Sequence, residues 1–116
     1  MYLDVIGGEA HQGNNLHLWP FNGTPAQVFF MQPDGTIKSS LSELVIDVNG
    51  GINNGAKLIM WPRHGRANQI WVVDGKIIKL RDHQLCFDSP GGKKEQGTQI
   101  IAWNKHGGSN QHLTAC

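Results

Sequence analysis

The feature of this sequence that most constrains its fold is an internal repeat with a period of about 42 residues. Residues of three kinds recur at that interval: Trp19, Trp61 and Trp103; Gln27, Gln69 and Gln111; and Gly13, Gly55 and Gly97. An Asp recurs at nearly the same interval, as Asp4, Asp47 and Asp88. Three copies fill the 116 residues, so we expect one domain made of the repeats 1–43, 44–84 and 85–116.

Each copy shows the same order of short strand signals. An apolar run around the Asp precedes a Gly-Gly pair, a strand that ends in the Trp, a polar loop, and a strand that begins with the Gln. Asp34-Gly35 and Asp74-Gly75 mark hairpins. No segment has the apolar period of a helix. About four strands in each of three copies predict a closed all-β fold with pseudo-threefold symmetry. A solenoid or a propeller is a weaker alternative, because propellers usually have at least four blades.

One irregularity concerns the start of the first copy. Apolar strands around Ile37 and Ile78 lead into the second and third copies, whereas the first copy begins directly at Leu3. The fold is therefore expected to lack its first strand. An open sheet edge invites pairing with another chain. We expect an exposed edge, a homo-oligomer that covers it, or a chain shortened from a longer one.

The phase of the Trp residues distinguishes core positions from surface positions. Side chains alternate between the two faces of a strand, and Trp19, Trp61 and Trp103 fall out of phase with their aliphatic neighbours. These three are expected to be partly exposed. Trp71 instead aligns with Phe29 in the neighbouring repeat and is expected in the core. Asp4 and Asp47 are likewise out of phase with the apolar residues beside them; the alternative is that each caps a turn.

An Asp, an outward Trp and an amide in one repeat have the chemistry of a sugar site. The indole face covers the C–H patch of a pyranose. A carboxylate accepts charge-assisted hydrogen bonds from two adjacent hydroxyl groups, and an Asn amide contributes a further hydrogen bond. Asn68 and Asn110 directly precede Gln69 and Gln111, whereas Ala26 precedes Gln27.

Composition argues against several other classes. The net charge is +1 and the longest cationic stretch is Lys93-Lys94, which disfavours nucleic-acid binding. No apolar run approaches the ~20 residues that span a bilayer. No secretory leader is recognisable at the N-terminus, and Cys86 and Cys116 are interpreted as free thiols in a reducing compartment. These features favour a cytoplasmic protein, with a secreted protein as the alternative.

The triplicated motif resembles that of the ricin B-type, or R-type, β-trefoil lectins, and the resemblance covers nearly the whole chain. It implies a twelve-strand β-trefoil with up to three sites that bind galactose or N-acetylgalactosamine. In that family the Asp contacts sugar hydroxyl groups, the aromatic residue stacks on the sugar, the Asn bonds a hydroxyl group, and the Gln mainly braces the Asp.

The resemblance implies one set of sugar-binding residues in each copy. The second copy offers Asp47, Trp61, Asn68 and Gln69, and the third offers Asp88, Trp103, Asn110 and Gln111. The first offers Asp4, Trp19 and Gln27, with His17 as a further residue that reaches the ligand. His64 and His106 lie in equivalent loops, where we expect solvated side chains rather than contacts to a second sugar.

Two rival functions come from other classes. Catalysis is not expected, because the sequence has no nucleophile elbow, no metal-binding His motif and no phosphate loop, and its repeated Asp residues lie one to a copy. No cofactor or metal is predicted. A protein-binding trefoil, such as a protease inhibitor that carries vestigial sugar sites, is the alternative function.

Overall fold

The computed structural model describes residues 1–9, 11–92 and 95–111, where the regular elements are short strands and 3-10 turns. The ten strands are β1 (Tyr2–Val5), β2 (Leu16–Trp19), β3 (Phe29–Met31), β4 (Ile37–Ser39), β5 (Val45–Val48), β6 (Leu58–Trp61), β7 (Trp71–Asp74), β8 (Ile77–Leu80), β9 (Leu85–Asp88) and β10 (Ile101–Asn104). The all-β prediction is confirmed. Among the described residues, none forms a helix long and apolar enough to cross a bilayer.

The strands form antiparallel sheets in which chain neighbours pair. β1 pairs with β2, while β3, β4, β5 and β6 form one four-stranded sheet and β7, β8, β9 and β10 form another. In every copy the strand that carries the repeated Asp pairs with the following strand, which carries the repeated Trp. Connections of nine to twelve residues, which contain the Gly-Gly pairs, join the Asp strands to the Trp strands. The Asp-Gly pairs instead lie at the short turns of the β3–β4 and β7–β8 hairpins.

Backbone hydrogen bonds close the three Trp strands, β2, β6 and β10, into a ring. In each copy the N–H of one Gly donates to a carbonyl oxygen on the Trp strand of the next copy: Gly13 to Met60 at 2.7 Å, Gly55 to Ala102 at 2.6 Å, and Gly97 to Leu18 at 2.7 Å. The three glycines have φ of +88°, +90° and +88°, a conformation that a side chain opposes. The repeated Gly therefore marks the joint between copies.

The apolar core lies inside this ring. Each Trp strand, together with the residue directly before β10, contributes two fully buried apolar residues: Leu16 and Leu18, Leu58 and Met60, and Ile100 and Ala102. Trp71 is 1% exposed, packs edge-on against Phe87 with ring centroids 4.7 Å apart, and donates from Nε1 to the Ile46 carbonyl oxygen at 3.1 Å. The predicted core position of Trp71 is confirmed.

The first copy differs from the others at its outer edge. The neighbouring strands β4 and β8 pair with β5 at Val45 and with β9 at Cys86, and both residues are buried. The equivalent Tyr2 on β1 is 38% exposed, and within the described residues no strand other than β2 pairs with β1. Among the described residues the outer edge of β1 is therefore unpaired, which is one of the arrangements that the sequence predicted. Leu113, in the last predicted strand, and Cys116 lie outside the described residues.

Cys86 is a free thiol, as the sequence predicted. Burial raises the pKa of this thiol, and the nearby Asp88 carboxylate raises it further. Cys86 is fully buried, and its raised pKa disfavours the thiolate, which is the reactive form.

Candidate functional site

Each copy carries one surface cavity between its Asp strand, its Gly-Gly turn and its Trp strand. The cavity volumes are about 700 Å³ in the first copy, 310 Å³ in the second and 460 Å³ in the third. The repeated Asp and Trp line all three cavities. The structure therefore brings together the residues that the sequence motif predicted.

Strand register places the Asp and the Trp on the same face. Asp47 lies opposite Ile59 on the paired strand, and Trp61 is two residues further along that strand. Residues two apart on a strand share a face, so the carboxylate and the indole face the same cavity. Trp19 and Trp61 are half-buried and Trp103 is 41% exposed. The predicted partial exposure of these three Trp residues is confirmed.

The Asp carboxylates form the floors of the cavities and are themselves buried. Asp4, Asp47 and Asp88 are 5%, 3% and 3% exposed. Asp4 and Asp47 are out of phase with the core, as predicted. Hydrogen-bond partners cover all three carboxylates; they come from the loop after the Trp strand and, in the first copy, also from His17 on the Trp strand itself. The burial of a charged group requires such partners, because an unpaired carboxylate in this position would be strongly destabilising.

The second copy shows how the loop holds its Asp. Asn68 Nδ2 donates to Asp47 Oδ1 at 3.1 Å, and Gln69 Nε2 donates to Asp47 Oδ2 at 2.7 Å. Asn68 Nδ2 also donates to the Val48 carbonyl oxygen at 3.2 Å. Both N–H groups of this amide thus have protein acceptors, and the group that it can offer a ligand is its carbonyl oxygen.

The third copy repeats this arrangement closely. Asn110 Nδ2 donates to Asp88 Oδ1 at 3.1 Å and to the Ser89 carbonyl oxygen at 3.2 Å. Gln111 Nε2 donates to Asp88 Oδ2 at 2.9 Å. The second and third sites therefore present the same polar groups in the same order.

The repeated Gln is a structural brace. Gln69 is fully buried, its Nε2 also donates to the Pro62 carbonyl oxygen at 2.9 Å, and its Oε1 accepts from the His64 N–H at 2.9 Å. Gln27 and Gln111 make equivalent bonds in their copies. With its amide fully used by the protein, the Gln orients the Asp and fixes the loop, as the family resemblance implies.

His64 and His106 contact the carboxylates, and the expectation that they are merely solvated is wrong. His64 Nε2 lies 3.4 Å from Asp47 Oδ2, and His106 Nε2 lies 3.4 Å from Asp88 Oδ2. The other ring nitrogen of each accepts a backbone N–H, from Arg66 at 3.0 Å and from Gly108 at 2.9 Å. With Nδ1 accepting, Nε2 is the ring nitrogen that presents an N–H to the carboxylate. The sequence signal for this contact was that both His residues stand three positions after the repeated Trp.

The charge at the second site depends on competing influences. Burial raises the pKa of the Asp47 carboxyl above its usual value. The hydrogen bond from Gln69 and the interaction with His64 act in the opposite direction. The charged form of Asp47 is therefore stabilised by its hydrogen-bond partners and destabilised by burial.

The first site holds its Asp differently. Ala26 replaces the Asn, and His17 lies directly opposite Asp4 on the paired strand. His17 Nε2 is 3.0 Å from Asp4 Oδ1, which is the oxygen that Asn68 and Asn110 contact in the other copies. The imidazole also stacks on Trp19, with ring centroids 5.0 Å apart and an interplanar angle of 14°. His17 is buried, so it fixes both residues from beneath the cavity.

A comparison with known protein families identifies the family to which this fold belongs. A family model described as the ricin-type beta-trefoil lectin domain matches residues 1–113. The chain belongs to the ricin-type β-trefoil lectin family. This match confirms both the resemblance seen in the sequence and the β-trefoil fold. The family consists of carbohydrate-binding domains.

Solved structures with the same fold superpose over nearly the whole chain. The C-half of an earthworm R-type lectin, solved in complex with GalNAc, is 26% identical with a TM-score of 0.78, covering 95% of this chain and 85% of that one. The designed threefold-symmetric protein ThreeFoil is 24% identical with a TM-score of 0.81, covering 94% and 85%. An exo-β-1,3-galactanase from Clostridium thermocellum is 27% identical with a TM-score of 0.84, covering 95% of this chain but 26% of the enzyme.

The cavities of this R-type domain contain no grouped metal ligands. Within residues 1–9, 11–92 and 95–111, no three His, Cys, Asp or Glu side chains converge to hold an ion. The polar groups in the second cavity are one carboxylate, one imidazole and side-chain amides. That set is suited to hydrogen bonding with hydroxyl groups.

Proposed function

We propose that this chain is a lectin for glycans that end in galactose or N-acetylgalactosamine, and that it binds them in its repeated cavities without catalysing a reaction. One observation carries the proposal: in each copy a buried, braced carboxylate lies on the floor of a cavity that has a partly exposed Trp on its wall. Carboxylate and indole match the two kinds of surface that a pyranose presents, hydroxyl groups and a C–H face.

The second site illustrates the binding chemistry. Each oxygen of a carboxylate has about two lone-pair positions. Asp47 Oδ1 has one protein donor, Asn68 Nδ2, so it retains capacity for a sugar hydroxyl group. The Asn68 carbonyl oxygen accepts from a second hydroxyl group, and the Trp61 indole covers the C–H face. Because the carboxylate and its partners are already fixed, little side-chain entropy is lost on binding.

The galactose preference rests on pyranose chemistry and on one relative. In galactose the axial hydroxyl group leaves a continuous C–H patch on the opposite face, which suits an indole wall. The earthworm lectin, 26% identical to this chain, was solved with GalNAc. We expect each site to bind weakly, with a Kd on the order of 0.1–1 mM, or about −4 to −5.5 kcal/mol. Several sites on one chain then raise the avidity for multivalent glycans.

The absence of catalysis is supported by the distribution of carboxylates. Glycosidases generally need two carboxyl groups across one glycosidic bond. Each of the three cavities is lined by a single one, Asp4, Asp47 or Asp88. The similarity to the galactanase covers only about a quarter of that enzyme, so it argues for a shared domain rather than a shared reaction.

A glycan array on the purified chain, followed by calorimetric titration with galactose and N-acetylgalactosamine, tests this proposal. We expect saturable binding that free sugar competes. A triple variant with Asp4→Asn, Asp47→Asn and Asp88→Asn should lose binding. The matched control is Asp74→Asn, since Asp74 lies on an exposed hairpin and pairs with Lys105.

Three results would change the conclusion. Binding limited to other sugars would keep the lectin function and discard the galactose preference. Equal binding by the triple variant and the wild type would place the sugar elsewhere. A folded protein that binds no glycan would leave the sites vestigial and favour a protein-binding trefoil, such as a protease inhibitor.

A further inference from the structure

The first cavity differs from the other two in size and in its walls. Its volume of about 700 Å³ exceeds the 310 Å³ and 460 Å³ of the second and third. Three equivalent positions carry different residues: His17 where the others have Ile59 and Ile101, Asn22 where they have His64 and His106, and Ala26 where they have Asn68 and Asn110.

These exchanges are coupled through the carboxylate. In the second and third copies an Asn reaches across the cavity to the Asp. In the first copy His17 makes that hydrogen bond from the strand below, so the Asn is not needed there. Ala26 is truncated at Cβ and is 4% exposed, and the space that an Asn side chain would occupy is open. The carboxylate stays braced while the cavity becomes wider.

The added space has an apolar wall and a polar rim. Pro25, Ala26 and Leu41 line the first cavity, and Leu41 comes from the loop between β4 and β5. No residue from the equivalent loop between β8 and β9 lines the second cavity. At the rim, Asn22 Oδ1 accepts from the Thr24 hydroxyl at 2.7 Å, which leaves the side-chain Nδ2 group of Asn22 to donate to a ligand.

We propose that the first site holds a disaccharide unit, with one sugar on Asp4 and Trp19 and the next sugar against Pro25, Ala26 and Leu41, whereas the second and third sites hold one sugar each. This assignment rests on the proposed lectin function and refines it. The second sugar has the same two surfaces as the first. Its C–H groups face the apolar wall, and its hydroxyl groups face Asn22 and Thr24.

The indole N–H signals of the Trp residues allow each site to be followed separately. Heteronuclear NMR on the full chain would be recorded during titration with galactose and with three galactosyl disaccharides, namely lactose, melibiose and β-1,3-galactobiose. At Trp19 we expect at least one disaccharide to bind about tenfold more tightly than galactose. At Trp61 and Trp103 the ratio should stay below about twofold, or about 0.4 kcal/mol. Buried Trp71 serves as the reference signal.

Two variants test which residues cause the difference. The double variant His17→Ile with Ala26→Asn introduces the second copy's residues and should lower the disaccharide ratio at Trp19 to that at Trp61. Leu41→Ser removes the apolar wall without filling the cavity, and should also lower the disaccharide ratio at Trp19. This variant keeps the inference testable if the double variant fails to fold. Asn68→Ala is the matched control. It opens space in the second site, where no residue of the loop between β8 and β9 lines the cavity, so its ratio at Trp61 should not rise to tenfold.

The outcomes separate this inference from the lectin function. If Trp19 responds to galactose with the same disaccharide ratio as Trp61 and Trp103, the extended site is wrong and the lectin function stands. If Trp61 and Trp103 show the larger ratio, the assignment of the extended site to the first copy is wrong. If no indole signal responds to any sugar, both proposals are overturned.

Discussion

The three copies differ in residue type at their core positions but share the same residues at the main cavity positions. At one equivalent core position the three copies have Leu18, Met60 and Ala102, which differ widely in size. At the cavity positions the Asp, the Gln and the Trp are identical in all three copies. Apolar packing requires that the total volume be filled, and different sets of side chains can do so. A hydrogen-bonded carboxylate requires the same atoms at the same distances.

The first copy shows how far the cavity layer can vary. The Asp–Gln pair is kept at 2.9 Å between Gln27 Nε2 and Asp4 Oδ2, while the second partner of the Asp changes from Asn to His17. The substitution is tolerated because a donor still reaches the same oxygen. All three copies therefore keep a carboxylate that accepts a hydrogen bond at Oδ1, whereas the residue that donates this bond differs between copies.

The largest expected effect comes from the core. Trp71→Ala should destabilise the domain by about 3–5 kcal/mol, because it removes a fully buried aromatic side chain and leaves a cavity. Trp61→Ala in the same repeat should cost about 1 kcal/mol or less and remove sugar binding at the second site alone. Urea unfolding and sugar titration of both variants measure this. Comparable destabilisation by the two would show that Trp61 also belongs to the core.

A smaller effect is expected from the brace. Gln69→Ala should cost about 2–3 kcal/mol, because a buried carboxylate and buried backbone groups lose their partners. Gln27→Ala should cost about 1 kcal/mol, because Gln27 is half-buried and water can replace its hydrogen bonds. Denaturant midpoints for the two variants give the comparison. If Gln27→Ala costs as much as Gln69→Ala, solvent access does not decide the strength of the brace.

The joints between copies provide a third test. Gly55→Ala and Gly13→Ala should each cost about 1 kcal/mol, because both residues have positive φ. Only at Gly55 would the added Cβ approach a cavity residue, Trp103 Cζ3 at 3.3 Å. Gly55→Ala should therefore also shift the Trp103 indole signal and weaken sugar binding at the third site. Gly13→Ala, with no atom within 4 Å of its Cβ, should leave the Trp61 signal in place.

The smallest effect is a dependence on pH at the second site. Burial raises the pKa of the Asp47 carboxyl, so the folded state keeps this proton at a pH where the unfolded chain has released it. The contribution of Asp47 to stability therefore increases as the pH falls through the raised pKa and is lost as the pH rises through it. Sugar affinity changes in the opposite direction, because the charged carboxylate is the stronger acceptor.

Sugar titrations followed at the Trp61 indole, from neutral pH down to about pH 4, would measure the expected decrease in sugar affinity as the pH falls. Asp47→Asn is the control and should bind weakly at every pH. His64 faces the same carboxylate, and a His64→Gln variant separates its effect. A pH-independent affinity in the wild type would show that the Asp47 charge does not contribute to binding.

The sequence by itself determined the all-β class, the threefold repeat, and which Trp lies in the core. These follow from residue periodicity, because strand alternation and tight turns are local properties of the chain. The Asp and Trp of each motif could also be assigned to one site, since the register of adjacent strands brings them together.

Tertiary structure alone decided how each carboxylate is held. The contacts of His64 and His106 with the Asp residues depend on how a loop folds back over a strand that precedes it by about 17 residues. The bridging of Asp4 and Trp19 by His17 and the contribution of Leu41 to the first cavity depend on packing between elements. Residue patterns encode which side of a strand a group faces, whereas hydrogen-bond partners and cavity walls are set by distances between segments remote in the chain.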